Sequence, residues 1–398
     1  MANILCCWEL GAGLGHLRRL APIAAYLRGT GHDVNLASRV LRPVGALFGD
    51  NLNRVYQAPF QFGPSSEAIQ PTVGLAHVLN NVGFGSEDGL LALVRAWHAL
   101  FDASKIDVVI ADHSPTAVLA ALTAGIRCIT VGTGFELPLF DQPLPSFRPH
   151  LNRTAAASLE QCERTICSNI NALLARYEKP PLRFACDLYA SAVGNFLITF
   201  PEFDHYGERP NFTYYGIPIE ACGAAPVWPS APGPRFYAYL KPGPRLAEFF
   251  VGINASSVSM LVYHSNLPRH IVDQASSDKI HFTSEILDLN AVANTADFAL
   301  LNATHTTMAQ FLLAGVPCVL APLHPEQRLV AEAVRAFGAG VIVDYGNEKQ
   351  MLAGVRQVLS DKRYRGAAAA FAARHARDDQ VALDSRMHNE IERLIRAC

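Results

Sequence analysis

Short apolar runs alternate along the chain with segments whose apolar residues recur at helical spacing. The run Asn3–Trp8 precedes a glycine-rich turn and an amphipathic segment, His16–Gly29, and a new apolar run follows at Asp33–Ser38. Ile106–Ala111 and Pro115–Ala124 repeat this strand and helix pattern. Unbroken apolar runs are typical of strands that are buried on both faces of a parallel sheet. The pattern therefore predicts βαβ units, the building blocks of an α/β fold.

The clearest such unit lies in the second half of the chain. Phe298–Leu301 reads as a buried strand, Met308–Ala314 as a helix that Gly315 ends, and Val316–Ala321 as a second buried strand. The polar turn between the first strand and the helix then lies at the carboxyl edge of a parallel sheet, where ligands of such folds bind.

This polar turn, Asn302–Thr307, has the character of an anion site. We expect backbone N–H groups at Thr304, His305, Thr306 and Thr307 to point outward, with the positive end of the helix dipole behind them. Phosphate is the usual anion at such a site.

A hydroxyl-binding pair follows the second strand. Glu326 and Gln327 precede a helix predicted from Arg328 to Phe337. A carboxylate only accepts hydrogen bonds, whereas an amide both accepts and donates, so the pair could hold neighbouring sugar hydroxyls. A phosphate site and a hydroxyl site one strand apart indicate a nucleotide sugar.

The succession of helix, Gly315-Val316-Pro317, apolar strand, proline and Glu326-Gln327 resembles the donor signature of glycosyltransferase family one. That family includes the plant and macrolide UDP-sugar transferases, and the lipid II N-acetylglucosaminyltransferase shares its architecture. The chain departs from the family pattern at Asn302-Ala303-Thr304, where the family has His-x-Gly, and at Gln310, where a Glu is usual. The resemblance implies two doubly wound Rossmann-like domains that face a cleft, the GT-B architecture.

The glycine-rich turn Glu9–Gly15 admits two interpretations. Glycines at 11, 13 and 15 suggest dinucleotide binding, but the G-x-G-x-x-G spacing fails because His16 occupies the final glycine position. Alternatively, His16 stands at a helix N-terminus, where the dipole disfavours imidazolium and keeps the ring available as a general base. Taken alone, such a histidine is more often only a solvated helix start.

The resemblance favours the general base. In the family, the histidine of this turn deprotonates the acceptor hydroxyl, and an Asp after a later strand holds the histidine. Asp112 matches that Asp in register, at the end of the strand beginning at Ile106, and His113 beside it competes for either role. Gly13, Gly15 and Glu136, which follow strands of the same domain, are expected on the acceptor side.

Lys241 is the basic residue of a second turn of interest. It follows the apolar run Phe236–Leu240, at the position where the family contacts the diphosphate, and could replace the missing histidine. A solvated surface lysine fits this position equally well. By contrast, Glu202, Asp204 and His205 fit no metal-ligand spacing and read as a surface turn. We therefore expect no metal site and no cofactor beyond the nucleotide-sugar co-substrate.

Composition limits the class of protein. The 398 residues suit two domains, 50% are hydrophobic, and the net charge of −2 gives no reason to expect nucleic acid as a partner. Nine cysteines without metal spacing fit reduced thiols in a cytoplasmic protein. No stretch is long and apolar enough for a membrane span, although peripheral contact through an apolar loop stays open.

The domain prediction follows from these segments. Residues 1–215 form an acceptor-binding domain, the Pro- and Gly-rich stretch 216–234 a linker, 235–376 the donor-binding domain, and 377–398 a helix that packs back on the first domain. 

The predicted function is inverting, metal-independent transfer of a sugar from a UDP-sugar or dTDP-sugar to an acceptor hydroxyl on a small molecule, lipid or glycan. Two alternatives remain at this stage. One is a catalytically weak homologue that binds a nucleotide sugar or a partner protein, and the other is a nucleotide-sugar 2-epimerase.

Overall fold

The computed structural model of the protein describes residues 1–61, 68–148, 150–218, 223–375 and 377–397. Positions 219–222 of the predicted linker lie outside these residues, as do Ala376 and Cys398 at predicted boundaries. The chain divides into two compact units. The first unit comprises Met1–Phe200, Glu208–Gly216 and Asp384–Cys398, and the second comprises Pro201–Gly207 and Ile217–Leu383.

The first unit contains a parallel sheet of six strands in the order β3-β2-β1-β4-β5-β6. The strands are β1 (Asn3–Trp8), β2 (Asp33–Ser38), β3 (Arg54–Gln57), β4 (Val108–Asp112), β5 (Arg127–Gly132) and β6 (Gly194–Leu197). Its helices are α1 (Gly15–Gly29), α2 (Val44–Phe48), α3 (Leu75–Leu79), α4 (Glu87–Ser104), α5 (Pro115–Ala124) and α6 (Arg153–Arg176).

The second unit repeats this plan with a parallel sheet in the order β12-β11-β10-β7-β8-β9. The strands are β7 (Arg235–Leu240), β8 (Ser259–His264), β9 (Ile280–Thr283), β10 (Phe298–Leu301), β11 (Cys318–Leu320) and β12 (Gly340–Ile342). The helices are α7 (Leu246–Asn254), α8 (Arg269–Ala275), α9 (Leu289–Thr295), α10 (His305–Leu313), α11 (Pro325–Phe337), α12 (Glu348–Ser360) and α13 (Lys362–Arg374). The last helix, α14 (Arg377–Arg396), begins in this unit and belongs to the first unit from Asp384 onward. The predicted fold class, α/β with two doubly wound Rossmann-like domains, is confirmed.

Two helices begin three residues earlier in the chain than the sequence predicts. Helix α10 begins at His305 rather than Met308, because the extended backbone of Thr304 provides the N-cap and polar residues fill the first turn. Helix α11 begins at Pro325 rather than Arg328, since proline is well suited to a first helical position, where its missing N–H costs nothing. Glu326 and Gln327 therefore lie in the first turn of a helix and not in a loop.

The last helix completes the core of the first unit. Met387, Ile391 and Ile395 of α14 are buried in the same apolar cluster as strands β1, β2 and β4. Polar contacts fix the helix further: Tyr26 donates to Asn389 over 2.9 Å, and His32 Nε2 lies 3.1 Å from Glu392 Oε1. Residues from Asp384 onward thus belong structurally to the N-terminal part of the chain.

We expect Ile391→Ala to lower the free energy of unfolding by about 2–5 kcal/mol, because it leaves a cavity in a fully buried cluster. The measurement is equilibrium unfolding in urea. As a control in the same helix, Val381→Ala, at a position 60% exposed, should change stability by less than about 0.5 kcal/mol. Equal losses for the two variants would contradict this role of α14.

Candidate active site

The first unit brings two loops together where its strand order reverses. Strand β1 lies between β2 and β4, so the loop after β1 and the loop after β4 leave the same sheet edge in opposite directions. In open α/β sheets, ligands bind in the crevice at this switch point. His16 lies at the start of the helix after β1, and Asp112 is the last residue of β4.

His16 and Asp112 form a buried hydrogen-bonded pair. His16 Nδ1 lies 2.8 Å from Asp112 Oδ1, and the Asp112 side chain is inaccessible to solvent. The imidazole also stacks on Trp8, with ring centroids 5.2 Å apart. The ring is therefore oriented by a carboxylate on one side and an aromatic face on the other.

A buried arginine, which the sequence analysis did not identify, joins this pair. Arg19 lies one turn after His16 on α1, so both side chains leave the same face of the helix. Its Nε donates to Asp112 Oδ2 over 2.9 Å, and its Nη2 donates to Asp112 Oδ1 over 2.8 Å and to Glu136 Oε1 over 2.9 Å. Glu136 thus belongs to the same network as Asp112.

Asp112 is held in its ionised form. Burial by itself would raise the pKa of this carboxyl group, but the charges and hydrogen bonds of Arg19 and His16 outweigh it and hold the pKa below its ordinary value. A negatively charged Asp112 can stabilise a positive charge that forms on His16, which is what the partner of a general base must do.

Gly11 keeps the space in front of the His16 ring open. Its φ of +88° lies in the left-handed region that glycine adopts readily, and a Cβ there would lie 2.6 Å from His16 Nε2. Nε2 has no hydrogen-bond partner among the described residues. Any side chain at position 11 would cover the one ring nitrogen that is available to a substrate.

His113 follows Asp112 with a left-handed backbone, φ 46°, and its ring centroid lies 5.5 Å from that of His16. Burial, aided by the charges of His16 and Arg19, lowers the pKa of His113 to about 4, so the ring is neutral at physiological pH. Its Nε2 is buried and has no partner in the part of the chain that the structure describes.

His16, His113 and Glu136 offer ligand atoms within 4.8 Å of one another, a spacing that a metal ion could use. However, Glu136 Oε1 already accepts from the Arg19 guanidinium, and Oε2 accepts from the N–H and hydroxyl of Thr133. A metal ion would have to displace a fixed positive charge, so these residues fit a guanidinium better than a metal.

Glu9 is a second buried acid at the same switch point. It accepts from the Thr116 N–H over 2.7 Å, from the Thr116 hydroxyl and from Trp97 Nε1 over 3.3 Å, and so ties the β1 loop to the start of α5. Burial raises the pKa of Glu9 to about 7 despite these hydrogen bonds. Its role is to hold the loop that carries Gly11, since its carboxylate faces α5 and not the open ring nitrogen.

In the second unit, the strand order reverses between β7 and β10, and the predicted anion site lies there. Thr304 is the N-cap of α10, and His305, Thr306 and Thr307 form its first turn. The first N–H groups of an α-helix have no acceptor within the helix, so this turn presents donors at the carboxyl edge of the sheet.

Asn302 and Gln327 hold the segment that links β11 to α11. Asn302 Nδ2 donates to the Ala321 carbonyl over 3.0 Å, and Gln327 Oε1 accepts from the Leu323 N–H over 2.8 Å. Asn302 Oδ1 is buried without a partner among the residues described. Each side chain therefore uses part of its hydrogen-bonding capacity to shape the edge of the site.

Lys241 lies on the other loop of this switch point, after β7. Its backbone N–H donates to the Tyr345 hydroxyl over 3.0 Å, and that hydroxyl donates to the Lys241 carbonyl. A Cβ at Gly243 would lie 2.4 Å from the Tyr345 ring, so only glycine fits beneath it. Tyr345 thus fixes the backbone of the loop that carries Lys241.

Glu326, in the first turn of α11, lies 3.5 Å from His205 Nε2. The expectation of a surface turn at residues 202–205 is wrong for Asp204 and His205, which are 6% and 9% exposed. The ring of His205 stacks against that of His305 with centroids 6.0 Å apart. His205 is therefore a neighbour of the donor-site residues that the sequence did not indicate, because it arrives from a distant part of the chain.

The comparisons with known proteins agree with this architecture. No protein-family model matches the chain. A PGL/p-HBAD biosynthesis glycosyltransferase of Mycobacterium tuberculosis is 26% identical over 286 residues, which cover 66% of this chain. The match spans 65% of the length of that relative.

Solved structures cover nearly the whole chain. The glycosyltransferase of kitacinnamycin superposes with a TM-score of 0.69 at 18% identity, over 99% of each chain. The spinosyn rhamnosyltransferase SpnG superposes with a TM-score of 0.66 at 14% identity, over 96% of each chain. SpnG has also been solved with thymidine diphosphate and with spinosyn aglycone.

The protein therefore has the fold of the two-Rossmann-domain, or GT-B, glycosyltransferases. The resemblance to this group that the sequence motifs suggested is confirmed at the level of the fold. No helix in the described ranges has both the length and the apolar character that crossing a bilayer requires.

The raised pKa of Glu9 should make the unfolding free energy of the protein depend on pH. Because the folded protein holds the proton more tightly than the unfolded chain, the contribution of Glu9 is most favourable below pH 4.5 and is lost as pH rises to about 7. The glutamine of the Glu9→Gln variant cannot ionise. As pH rises across that window, the unfolding free energy of the variant should therefore increase relative to that of the wild type, by up to about 1.4 kcal/mol per pH unit.

Urea unfolding between pH 4.5 and pH 8 measures this difference. Glu160→Gln, at a side chain 73% exposed, is the control and should follow the wild type. Parallel pH profiles for Glu9→Gln and the wild type would refute the assignment.

Proposed function

We propose that the protein is a glycosyltransferase that moves a sugar from a nucleoside-diphosphate sugar, a UDP-sugar or a dTDP-sugar, to a hydroxyl group of an acceptor. The observation that carries this proposal is the buried His16–Asp112 pair, whose hydrogen bond of 2.8 Å uses Nδ1 and leaves Nε2 without a hydrogen-bond partner among the described residues. The GT-B fold and the glycosyltransferase relative in Mycobacterium tuberculosis support it.

The first unit supplies the general base. An acceptor hydroxyl is a weak nucleophile at neutral pH, so a base must take its proton as the new bond forms. In this proposal, His16 Nε2 takes that proton, and Asp112 stabilises the imidazolium through the hydrogen bond at Nδ1. Gly11 leaves room for the hydroxyl, while Gly13, Gly15 and Glu136 belong to the surrounding acceptor side.

The second unit holds the donor. The acceptor oxygen bonds to the anomeric carbon as the bond from that carbon to the diphosphate breaks, and the leaving diphosphate takes the electron pair. N–H groups of Thr304 to Thr307 at the start of α10, with Lys241 nearby on the β7 loop, stabilise the charge that develops on it. Glu326, together with the free part of the Gln327 amide, binds sugar hydroxyls. Asn302 contributes by shaping the segment between β11 and α11 through its hydrogen bond to the Ala321 carbonyl.

A single displacement of this kind inverts the anomeric centre, because the acceptor attacks the face opposite to the diphosphate. We propose that no metal ion or cofactor takes part. The support is electrostatic: Arg19 already provides the cation beside Glu136, and the α10 N-terminus provides donors for the diphosphate.

The acceptor is proposed to be a small molecule, lipid or glycan that carries a hydroxyl group. The complexes of SpnG with thymidine diphosphate and with spinosyn aglycone support this pairing of donor and acceptor. We further propose a cytoplasmic location, which fits the free thiols of Cys6, Cys7, Cys128, Cys162, Cys167, Cys186 and Cys318.

The proposal is tested first by binding and turnover. UDP or dTDP should raise the melting temperature, and NAD should not. At about 100-fold excess over Kd the stabilisation is roughly 3 kcal/mol. Turnover is then followed by mass spectrometry with UDP- and dTDP-sugars, with and without a panel of hydroxylated acceptors. Conversion of the donor without acceptor would indicate an epimerase, and binding without turnover a catalytically weak homologue.

On an acceptor found in this way, His16→Ala should lower kcat by about 10²- to 10⁴-fold while nucleotide binding survives. Asp112→Asn should lose less, and the double variant should be little worse than His16→Ala, because the two residues act as a unit. His270→Ala, at an exposed position, is the control. Near-wild-type turnover by His16→Ala would exclude His16 as the base and direct attention to His113.

Lys241 gives a separate prediction. Lys241→Ala should weaken binding of UDP or dTDP more than binding of uridine or thymidine, because only the diphosphates carry the charge that the lysine neutralises. Calorimetric titration measures both ligands, and Lys349→Ala, at an exposed lysine of the same unit, is the control. Equal losses for nucleoside and nucleoside diphosphate would remove Lys241 from the site.

A further inference from the structure

One nitrogen of the Arg19 guanidinium, Nη2, lies within hydrogen-bond distance of three groups. Its Nη2 lies 2.8 Å from Asp112 Oδ1, 2.9 Å from Glu136 Oε1 and 2.8 Å from His16 Nδ1. Arg19 is 5% exposed, so its guanidinium must find its hydrogen-bond acceptors within the protein and not in bulk water. Nη2 carries only two protons, and a guanidinium never accepts a hydrogen bond.

Counting protons assigns the tautomer of His16. The two carboxylates take the two protons of Nη2, because a hydrogen bond between a guanidinium and a carboxylate is stronger than one to a neutral imidazole nitrogen. No proton of Nη2 is then left for His16 Nδ1, so Nδ1 must carry its own proton and donate it to Asp112 Oδ1, 2.8 Å away. The lone pair of the imidazole is therefore on Nε2, the nitrogen that Gly11 leaves open.

We propose that Arg19 and Glu136 are positioning residues which fix His16 as the tautomer protonated on Nδ1. Glu136 does so through Arg19: it occupies the second proton of Nη2, which would otherwise donate to His16 Nδ1 and drive the ring proton onto Nε2. This inference deepens the proposed function, since only the tautomer with a free Nε2 can act as the general base there.

Glu136 is itself held for this task. Its Oε2 accepts from the Thr133 N–H over 2.8 Å and from the Thr133 hydroxyl over 2.9 Å, which leaves Oε1 directed at Arg19. A carboxylate oxygen accepts two hydrogen bonds, so Asp112 Oδ1 can serve Arg19 Nη2 and His16 Nδ1 together. One assignment of protons then satisfies every hydrogen bond named here.

The charges of the network favour the same catalytic role. Asp112 and Glu136 provide two negative charges against the single positive charge of Arg19, and Glu136 Oε1 lies 3.9 Å from His16 Nδ1. The surplus negative charge stabilises an imidazolium once His16 has taken a proton. Without Glu136, the new charge on His16 would face an arginine that Asp112 alone neutralises.

The test reads the tautomer directly. In protein labelled with ¹⁵N-histidine, two-dimensional NMR distinguishes the protonated ring nitrogen of His16 from the one with the lone pair, and His16→Gln identifies the signals. The wild type should show a protonated Nδ1 and a bare Nε2. A protonated Nε2 in the wild type would overturn the proposal without any further variant.

Glu136→Gln should reverse the tautomer. The Thr133 N–H retains the amide oxygen of the glutamine, so its NH₂ group faces Arg19 and cannot accept the second proton of Nη2. That proton is then free for His16 Nδ1, and kcat should fall by up to about 10⁴-fold, as when the wrong histidine tautomer is imposed. Glu163→Gln is the matched control, a buried glutamate of the same unit that accepts from two backbone N–H groups elsewhere.

The double variant Arg19→Met/Glu136→Gln separates this role from a merely structural one. Removal of Arg19 removes the competing donor, so the proton should return to Nδ1 and part of the activity should return with it. An unchanged tautomer in Glu136→Gln, or no restoration in the double variant, would refute the inference. If the tautomers behave as described but no sugar is transferred, the proposed function fails and the proton assignment stands.

Discussion

The first unit depends on one buried ion. Asp112 lies at the end of a central strand with no access to solvent, and a carboxylate in that position is costly unless every lone pair finds a donor. The chain meets this demand from a single helix, because His16 and Arg19 lie one turn apart on α1. A requirement of folding and a requirement of chemistry are thus met by the same residues.

The two units use the same backbone device for different ends. In each, a polar residue stands at or directly after the end of the strand beside the switch point, and the next residue is a non-glycine residue with positive φ, His113 in one unit and Ala303 in the other. The first unit has a charged acid at this position, and the second has a neutral amide, Asn302. The first is consequently suited to moving a proton and the second to presenting backbone donors to an anion.

Apolar runs were enough to predict the central strands of both sheets, because strands buried on two faces leave a continuous signal in the sequence. The mostly exposed edge strand β3 leaves no such signal. Helix starts were harder: the polar first turn of α10 resembles a loop until Thr304 is seen as its N-cap. Asp112 could be placed at a strand end by pattern alone. Arg19 could not, since arginine on a helix is usually solvated, and its burial follows from two acids that lie about a hundred residues away in sequence. His205 was missed for the same reason of distance along the chain.

The last helix has a consequence for how the gene can be divided. Residues from Asp384 onward complete the core of a unit whose other residues end at Gly216. A fragment cut at Gly216 would expose the apolar surface that Met387, Ile391 and Ile395 cover, and would be prone to aggregate. An autonomous first unit would instead require the segment from 384 to be joined back through a designed linker, so that the unit is assembled from both ends of the coding sequence.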